Sequence, residues 1–319
     1  MLKRSGKLSK QLKEWHKEAL ELRKKGYKSR KIAKELFGRE SAKSSVNFFF
    51  KDYDNGLYGE VLDANKPNIL FFDIETSLCV SYHFGQWKQN LGMKQKVQES
   101  HLLSHSWAWG DGEIEGSVLT PKEALEHDDE RLVLELWALF DNADVLVAHN
   151  GAKFDVRKVN AYFLKYGLPP PSPYKVIDTL KIAKRKFSLP FNSLAYLAEF
   201  LGVTQKLDNS GIDLWIRCDR GEPEALQEML QYNLGDVDTL RQVYYKLQAW
   251  DNQGVNLGLY NDQHDFLCPH CASDDIESIE GKYAYTAQRK YSLYRCKNCK
   301  AVLRGNTKEG VGNKLVRVV

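Results

Sequence analysis

Acidic side chains occur in three segments of this 319-residue chain, in settings that suit the binding of divalent cations. Asp73 and Glu75 lie in the first segment, Asp155 in the second and Asp236 in the third. Carboxylate oxygens are hard ligands, and several of them tolerate crowding only when a cation neutralises their charge. A fold that brings these four together would form a centre for two-metal hydrolysis of phosphodiesters.

The first segment follows the apolar run of residues 67–72, which is short and β-rich and predicts a buried central strand. Asp73 and Glu75 are one strand period apart, so both side chains point to the same side. For an isolated Asp-x-Glu, a surface strand with a polar face is the better interpretation. Metal binding is favoured for this pair because acids also occur in the other two segments.

The second segment follows a predicted strand at residues 143–148 and opens a helix, with Asp155 in its first turns. An early-helix Asp can also serve only to compensate the helix dipole. In the third segment Tyr232 and Asp236 are four residues apart in a helical run from about Pro223 to Leu247, so they share one face. The alternative there is a solvated face with a half-buried Tyr.

In this order, the segments around Phe71-Phe72-Asp73-Ile74-Glu75-Thr76, His149-Asn150 with Phe154-Asp155, and Tyr232 with Asp236 resemble the three motifs of the DEDD exonucleases. Residues 176–180 and 189–197 are similar to linking segments of the proofreading domains of family B DNA polymerases. The resemblance covers roughly residues 67–250. One branch of the family has His five residues before the last Asp and the other has Tyr four before it; Gln231 and Tyr232 occupy those places here and indicate the DEDDy branch. The resemblance implies an α/β fold with a ribonuclease-H-like mixed sheet flanked by helices.

The same resemblance implies roles for the acids and two bound ions, Mg²⁺ or Mn²⁺. Asp73 would bridge both ions, Glu75 and Asp236 would hold the ion that activates water, and Asp155 would bind the second ion, directly or through water. Tyr232 would orient the attacking water, since a phenol with a pKa of about 10 is a poor general base near pH 7. Three residues adjacent to the acids are candidate contacts to the terminal nucleotide: Thr76, Asn150 and Phe154.

Residues 77–100 depart from that pattern and form an insertion, called the insert below, before a predicted strand at Leu102–Trp109. The insert contains Trp87 and the basic run Lys94-Gln95-Lys96. We expect it either to line the substrate groove or to cover a sheet edge.

The two ends of the chain are basic and the middle is acidic. Residues 1–51 contain 16 Lys and Arg against 5 Glu, and residues 281–319 contain 10 basic residues against 1 acidic, so residues 52–280 carry a net charge of −16 within a total of +4. The ends are therefore the expected phosphate-binding parts, with nucleic acid, DNA favoured, as the partner. Solubilising tails are the alternative. Asn-, Asp- and Gly-rich stretches divide the chain into domains at residues 1–55, 66–251 and 265–319.

The N-terminal domain is predicted to contain three short helices. The second is expected to be capped by Ser29 and ended by Gly38, and the third to run from about Ser41 to Phe50. The pattern is similar to resolvase-type helix-turn-helix domains and implies that the third helix enters the major groove. Lys43, Ser44 and Asn47 are the candidate DNA contacts. A basic bundle that only packs on the catalytic domain is the alternative.

The C-terminal domain carries two Cys-x-x-Cys pairs, Cys268 with Cys271 and Cys296 with Cys299, separated by 24 residues. Four soft ligands at this spacing predict a structural Zn²⁺ site in a zinc ribbon, with a β-hairpin between the pairs. Two disulfides are the alternative. They are disfavoured because no signal peptide pattern precedes the basic start and the remaining Cys79 and Cys218 lie in segments expected to be buried.

No apolar run reaches the length of a membrane span, so we expect an intracellular protein of cytoplasm or nucleoid without a membrane partner. The leading hypothesis is a metal-dependent 3′–5′ exonuclease. Two alternatives stay open: a structure-specific endonuclease on the same fold, and a DNA-binding regulator whose nuclease fold is an inactive scaffold.

Overall fold

The computed structural model describes residues 14–54, 66–85, 87–203, 211–261 and 264–309, so both outer ends of the predicted flanking domains lie outside the described residues. Three helices come first: α1 (Glu14–Lys24), α2 (Ser29–Phe37) and α3 (Lys43–Asp54). Gly38 ends α2 in the left-handed region at φ 71°, as predicted. The predicted cap is wrong, because Lys28 occupies the N-cap position of α2 and its side chain makes no capping bond.

The middle of the chain forms a five-stranded mixed sheet and a small hairpin. Its strands are β1 (Ile69–Thr76), β2 (Val80–Ser81), β3 (Lys96–Gln98), β4 (Leu102–Trp109), β5 (Ile114–Val118), β6 (Val145–Ala148) and β7 (Lys175–Asp178). The order across the large sheet is β5-β4-β1-β6-β7, and β2 pairs with β3 in a separate two-stranded sheet within the insert. β1 is thus the predicted central strand, antiparallel to β4 and parallel to β6.

Helices cover both faces of the large sheet. They are α4 (Pro121–Glu126), α5 (Glu130–Asn142), α6 (Asp155–Lys165), α7 (Thr179–Lys186), α8 (Leu194–Leu201), α9 (Ile212–Asp219) and α10 (Pro223–Leu247). Phe72 of β1 packs on Phe140 of α5, whereas the neighbouring Phe71 packs on Tyr244 of α10. These alternating contacts separate two buried cores, one on each face of the sheet. The predicted α/β class with a mixed sheet between helices is confirmed.

The three N-terminal helices pack on the outer surface of α5. The Trp15 indole N–H donates to Asp141 over 3.1 Å, and the Ser45 hydroxyl donates to the carbonyl of Leu134 over 3.2 Å. Phe48 of α3 also meets Trp107 of β4, with ring centroids 6.0 Å apart. One side of α3 is therefore held against the sheet domain.

The C-terminal part forms a three-stranded antiparallel sheet of order β10-β9-β8, from β8 (Ile276–Tyr285), β9 (Lys290–Cys296) and β10 (Val302–Glu309). The predicted hairpin corresponds to β8 and β9, and β10 adds a strand that the sequence reasoning did not include. The ring nitrogen Nδ1 of His270 lies 2.8 Å from the carbonyl oxygen of Gln248, which ties this part to the end of α10. Within the described ranges, no helix combines the length and apolarity needed to cross a bilayer.

Candidate active site

Part of strand β1 and part of helix α10 cover similar lengths, and their packing brings the first and third acidic segments together. Phe71, Asp73 and Glu75 share one face of β1, and the rings of Phe71 and Tyr244 lie 5.5 Å apart. From Phe71 to Glu75 the strand advances about 13 Å, and from Tyr244 back to Asp236 the helix covers about 12 Å. The contact between the aromatic rings therefore places Asp236 beside the two acids of β1.

Three of the predicted carboxylates meet. One carboxylate oxygen from each of Asp73, Glu75 and Asp236 lies within 4.8 Å of the other two. Asp236 is buried and the two acids of β1 are half-buried. Oxygens bound to one Mg²⁺ at about 2.1 Å lie roughly 3 to 4 Å apart, so a small closure of this set, called the carboxylate cluster below, fits a divalent cation. An all-oxygen donor set favours magnesium or manganese over softer metals.

A buried amide holds the central acid of the carboxylate cluster in place. Asn233 Nδ2 donates to Asp73 Oδ2 over 2.7 Å. Asn233 is itself fixed from β4, since the Ser104 hydroxyl donates to its side-chain oxygen over 3.2 Å and the Ser106 hydroxyl donates to its carbonyl over 2.6 Å. In the register of the sheet, Ser106 stands opposite Asp73 and Ser104 opposite Glu75. The two serines of β4 therefore hold Asn233 of α10 in place, and Asn233 in turn positions Asp73.

The sequence analysis missed Asn233, although β4 contains a signal for it. Along this strand the small residues Ser104, Ser106 and Ala108 alternate with larger ones. A face of small residues permits close approach of a helix, and its hydroxyls need partners when buried. Gly116 on β5 extends this surface, because a Cβ there would lie 2.8 Å from the Leu230 side chain of α10.

Asp155 begins α6, as predicted, but it lies outside the carboxylate cluster. The chain runs from the end of β6 to Asp155 and passes close to Ala148 at Gly151. A side chain would not fit there, because a Cβ on Gly151 would lie 2.3 Å from the Cβ of Ala148. Burial raises the pKa of Asp155 to about 7, a backbone hydrogen bond opposes the rise, and the negative charge of Asp178 adds to it. The acid is thus poised to lose its proton near neutral pH.

Tyr232 is buried one helical turn before Asp236, more deeply than the half-buried position considered from the sequence. Its ring meets Trp215 of α9 edge-on, with centroids 6.1 Å apart. Helix α9 thereby fixes the plane of the phenol on the face of α10 that carries Asp236.

The three candidate nucleotide contacts lie at the end of β1 and between β6 and α6. Thr76 is the last residue of β1, beyond an irregularity in its pairing with β4. Asn150 adopts a left-handed conformation at φ 64°, and its N–H donates to Asp178 Oδ1 over 3.0 Å. Phe154 is half-exposed immediately before Asp155. Their contact with a nucleotide stays a prediction.

A family model described as RNase_H superfamily matches residues 70–248, which is more than half of the chain and contains every acid discussed above. The chain belongs to the RNase H superfamily. The predicted ribonuclease-H-like fold is thereby confirmed, and this superfamily consists generally of nucleases that use divalent metals.

Among solved structures, the family B DNA polymerase from the hyperthermophilic archaeon Pyrobaculum calidifontis is similar to 72% of this RNase H superfamily chain, at 15% sequence identity and a TM-score of 0.44. The chain spans 33% of the length of that polymerase. No curated protein matches the chain.

A second ligand set in this RNase H superfamily member consists of four cysteines. The Sγ atoms of Cys268, Cys271, Cys296 and Cys299 all lie within 4.8 Å of one another. The Sγ of Cys268 is 3.5 Å from that of Cys299, and the Sγ of Cys271 is 3.6 Å from that of Cys296. Sulfurs around a tetrahedral Zn²⁺ with bonds of about 2.3 Å would be roughly 3.8 Å apart, so this set, called the cysteine cluster below, fits zinc. His270 points instead to the carbonyl of Gln248.

The disulfide alternative does not describe this arrangement, since all six cysteines are free thiols. One expectation used against it was wrong, however. Cys79 is exposed in the insert, where its thiol donates to the carbonyl of Gln98, while Cys218 is buried as expected.

The candidate DNA contacts lie on α3, which has one side against the sheet domain. Asn47 is exposed, and Lys43 and Ser44 are half-buried. Ser45 and Phe48 face the sheet domain instead. DNA contact by these three residues is not tested by this geometry and stays a prediction.

Proposed function

We propose that this protein is a DEDDy-type 3′–5′ exonuclease that hydrolyses nucleic acid, with DNA favoured, by a two-metal mechanism. The observation that carries the proposal is the convergence of Asp73, Glu75 and Asp236 within 4.8 Å. Membership of a superfamily that consists generally of nucleases supports phosphodiester hydrolysis as the reaction.

Bound Mg²⁺ or Mn²⁺ ions would lower the pKa of an attacking water and stabilise the charge that develops on the leaving 3′ oxygen. Asp73, Glu75 and Asp236 are the residues proposed to hold the first ion, with Asp73 shared between both. Asp155 is the proposed ligand of the second ion. Because its pKa is about 7, it can release its proton near neutral pH, and a nearby cation favours the charged form further.

Two neutral side chains would set the geometry of the reaction. Asn233 donates to one oxygen of Asp73. This bond fixes the orientation of the carboxylate and therefore of its other oxygen. Tyr232 is buried against Trp215 one turn from Asp236 and is proposed to orient the attacking water through its hydroxyl. Thr76, Asn150 and Phe154 are proposed to contact the terminal nucleotide.

We propose further that residues 1–55 form a helix-turn-helix domain and that residues 265–319 form a zinc ribbon. Both would bind nucleic acid and bring it to the middle domain, residues 66–251, which is acidic. The charge distribution supports this role, since the two ends are basic and the middle is acidic. On α3, Lys43 and Asn47 lie one helical turn apart and are the proposed contacts together with Ser44. The cysteine cluster would hold its zinc with four protein ligands and no open position, which is a structural role.

The decisive assay uses 5′-labelled single-stranded and double-stranded DNA and RNA with and without Mg²⁺. We expect progressive shortening from the 3′ end that requires the metal and is abolished in Asp73→Ala. A matched control is Asp238→Asn, since Asp238 lies on α10 only two residues from Asp236 but bonds to Gln242 on the same helix.

A circular single strand separates this proposal from an endonuclease. We expect no cleavage of the circle under conditions that degrade the linear form. Cleavage of the circle would assign endonuclease activity, and full activity in Asp73→Ala would refute the proposed site altogether. Sequence-selective binding without hydrolysis in any divalent ion would instead support a regulator.

A further inference from the structure

The insert, which follows the strand that carries Asp73 and Glu75, exposes several large apolar side chains. Phe84 is 108% exposed, Trp87 is 87% exposed and Tyr82 is 77% exposed. The other large apolar side chains on the same segment with at least half of their surface exposed are Leu91, Met93 and Val97. Several exposed large apolar side chains on one short segment indicate an interaction site on a folded protein.

Hydrogen bonds hold the two ends of the insert, called the stem below, against the rest of the protein. The N–H of Ser77 donates to the carbonyl of His101 over 2.8 Å, and the N–H of His101 donates to the Ser77 hydroxyl over 2.9 Å. Gln98 Nε2 also donates to Asp219 on α9 over 2.9 Å. Further out, the N–H of Tyr82 donates to the carbonyl of Gln95 over 2.8 Å. Tyr82 thus lies at a hydrogen-bonded position of the hairpin, and Phe84 and Trp87 follow it in the segment between β2 and β3.

The stem begins at the end of the strand that carries the acids. Ser77 directly follows Thr76, the last residue of β1, and Glu75 precedes Thr76. Phe84 and Trp87 are nine and twelve residues beyond Glu75, so the chain restricts their separations from Glu75 to at most about 32 Å and about 43 Å. One single strand held at the carboxylate cluster can therefore extend as far as the exposed aromatic rings.

The charge of the insert identifies its occupant. Lys88, Lys94 and Lys96 stand against a single acid, Glu99, inside a stretch of the chain that otherwise repels polyanions. Aromatic rings interleaved with cations bind single-stranded nucleic acid, because every base offers a face for stacking and the cations meet the phosphates. An apolar protein partner would not need these lysines.

We infer that the insert is a base-stacking platform for the single-stranded nucleotides next to the scissile bond. Phe84 and Trp87 supply the stacking faces, and Lys88 and Lys94 neutralise neighbouring phosphates. The inference rests on the proposed nuclease function for its substrate, and it adds the subsite that holds the strand behind the terminal nucleotide.

The test measures binding by the full-length chain without hydrolysis. Fluorescence anisotropy in EDTA would follow a labelled 15-nucleotide oligothymidylate and the same strand with abasic sites at the four positions nearest its 3′ end. The variants are the double substitution Phe84→Ala with Trp87→Ala, the conservative Trp87→Phe, and the control Leu164→Ala. Leu164 is 80% exposed on α6, so the control removes an equally exposed apolar side chain from another surface.

We expect the double variant to bind the intact strand roughly tenfold or more weakly, since each stacked base contributes about one to two orders of magnitude of affinity at most. Trp87→Phe and Leu164→Ala should bind like the wild type. The abasic strand should weaken wild-type binding to the same degree and leave the double variant unaffected, which shows that the lost contact is to the bases.

Binding by the double variant within twofold of the wild type would overturn the inference. So would a wild-type dimer in sedimentation that the double variant dissociates while its oligonucleotide binding stays unchanged, because the insert would then be a self-association surface. Hydrolysis of the p-nitrophenyl ester of thymidine 5′-phosphate separates the two proposals, since this ester has no neighbouring base. Equal ester hydrolysis by wild type and double variant is expected; absence of all hydrolysis by the wild type would refute the nuclease proposal, while the binding result still decides the stacking inference.

Discussion

The ligand atoms of the carboxylate cluster and of the cysteine cluster are similarly spaced, but tertiary packing assembles the first cluster and local sequence motifs supply the second. Each gathers its ligand atoms within 4.8 Å. The cysteines come from two local Cys-x-x-Cys pairs, whereas Asp236 reaches Asp73 and Glu75 only through the packing of α10 on the central strand. The cysteine cluster supplies all four ligands of a closed tetrahedral site, and the carboxylate cluster leaves positions open for water and substrate.

This difference assigns the two clusters different roles: the cysteine cluster would stabilise the fold, and the carboxylate cluster would serve the reaction. Zinc bound to the four thiolates would stabilise a small module that has little core of its own, since its buried apolar cluster contains mainly cysteines with Ala301. The carboxylate cluster places acidic groups close together, and their like charges would destabilise the fold until a cation bound. Substitutions in the two clusters should therefore shift stability in opposite directions.

The largest effect is expected at the cysteine cluster. Cys296→Ser should lower bound zinc from about one equivalent to almost none, because structural zinc sites contribute about 10–16 kcal/mol of apparent binding free energy that depends on the full ligand set. The measurement is zinc content together with limited proteolysis of β8–β10. Cys218→Ser, which changes a buried cysteine outside the cluster, should retain its zinc.

Hydrolysis of the thymidine ester by the Cys296→Ser variant should stay near the wild-type rate. A large loss of ester hydrolysis would contradict the separation of the two clusters and would make the zinc module part of the catalytic site.

The next largest effect is expected at the carboxylate cluster. Asp236→Asn should reduce hydrolysis about a thousandfold or more, because a correctly held ion contributes several kcal/mol to the transition state. In EDTA the same variant should melt at a higher temperature than the wild type, since one of three crowded charges is gone. Initial rates and thermal melting of Asp236→Asn and Asp238→Asn, compared side by side, test both statements. A lower melting temperature for Asp236→Asn in EDTA would show that repulsion does not govern this cluster.

A smaller effect is expected at the amide that positions Asp73. Asn233→Ala should weaken the apparent Mg²⁺ affinity by roughly 10- to 100-fold, because residues that orient metal ligands have effects of this size. The Mg²⁺ concentration at half-maximal rate is the readout, since a purely structural role would leave it unchanged. The matched control is Asn142→Ala on α5, where another buried amide donates to the carbonyl of Ala138 on the same helix. Equal Mg²⁺ dependence in both variants would remove Asn233 from the site.

The last effect is expected in the pH dependence of stability. Asp155 ionises near its ordinary value of 3.8 in the unfolded chain, but burial raises its pKa to about 7 in the folded protein. Between these values the folded state binds the extra proton, so stability falls as pH rises from about 4 to about 7, by at most about 1.4 kcal/mol per pH unit. Above pH 7 this group causes no further loss.

Urea unfolding in EDTA at several pH values between 4 and 8 would measure that slope. We expect Asp155→Asn to unfold with a shallower pH dependence than the wild type and to be the more stable protein at pH 8. An unchanged slope would mean that other groups cause the pH dependence.

The sequence predicted those parts of the two clusters that depend on local spacing. The Cys-x-x-Cys pairs and the strand period of Asp73 and Glu75 need no tertiary information, and the limits of β4 and α10 followed from periodicity. Asn233 was not identified, because a polar residue inside a helix has many ordinary roles until its partners Ser104 and Ser106 are placed opposite it.

Other features depend on contacts between distant segments. The position of Asp155 outside the carboxylate cluster is set by the path from β6 through Gly151, which residue types alone do not define. The docking of α3 on α5 likewise depends on surfaces that only the folded chain brings together. The exposure of Cys79 follows from the insert forming its own hairpin instead of joining the large sheet.

The most direct test of the central claim is anomalous diffraction from crystals grown with Mn²⁺. We expect a peak at about 2.2 Å from carboxylate oxygens of Asp73, Glu75 and Asp236, and its absence in Asp236→Asn crystals grown under the same conditions. Ordered Mn²⁺ elsewhere with none at these three side chains would contradict the account.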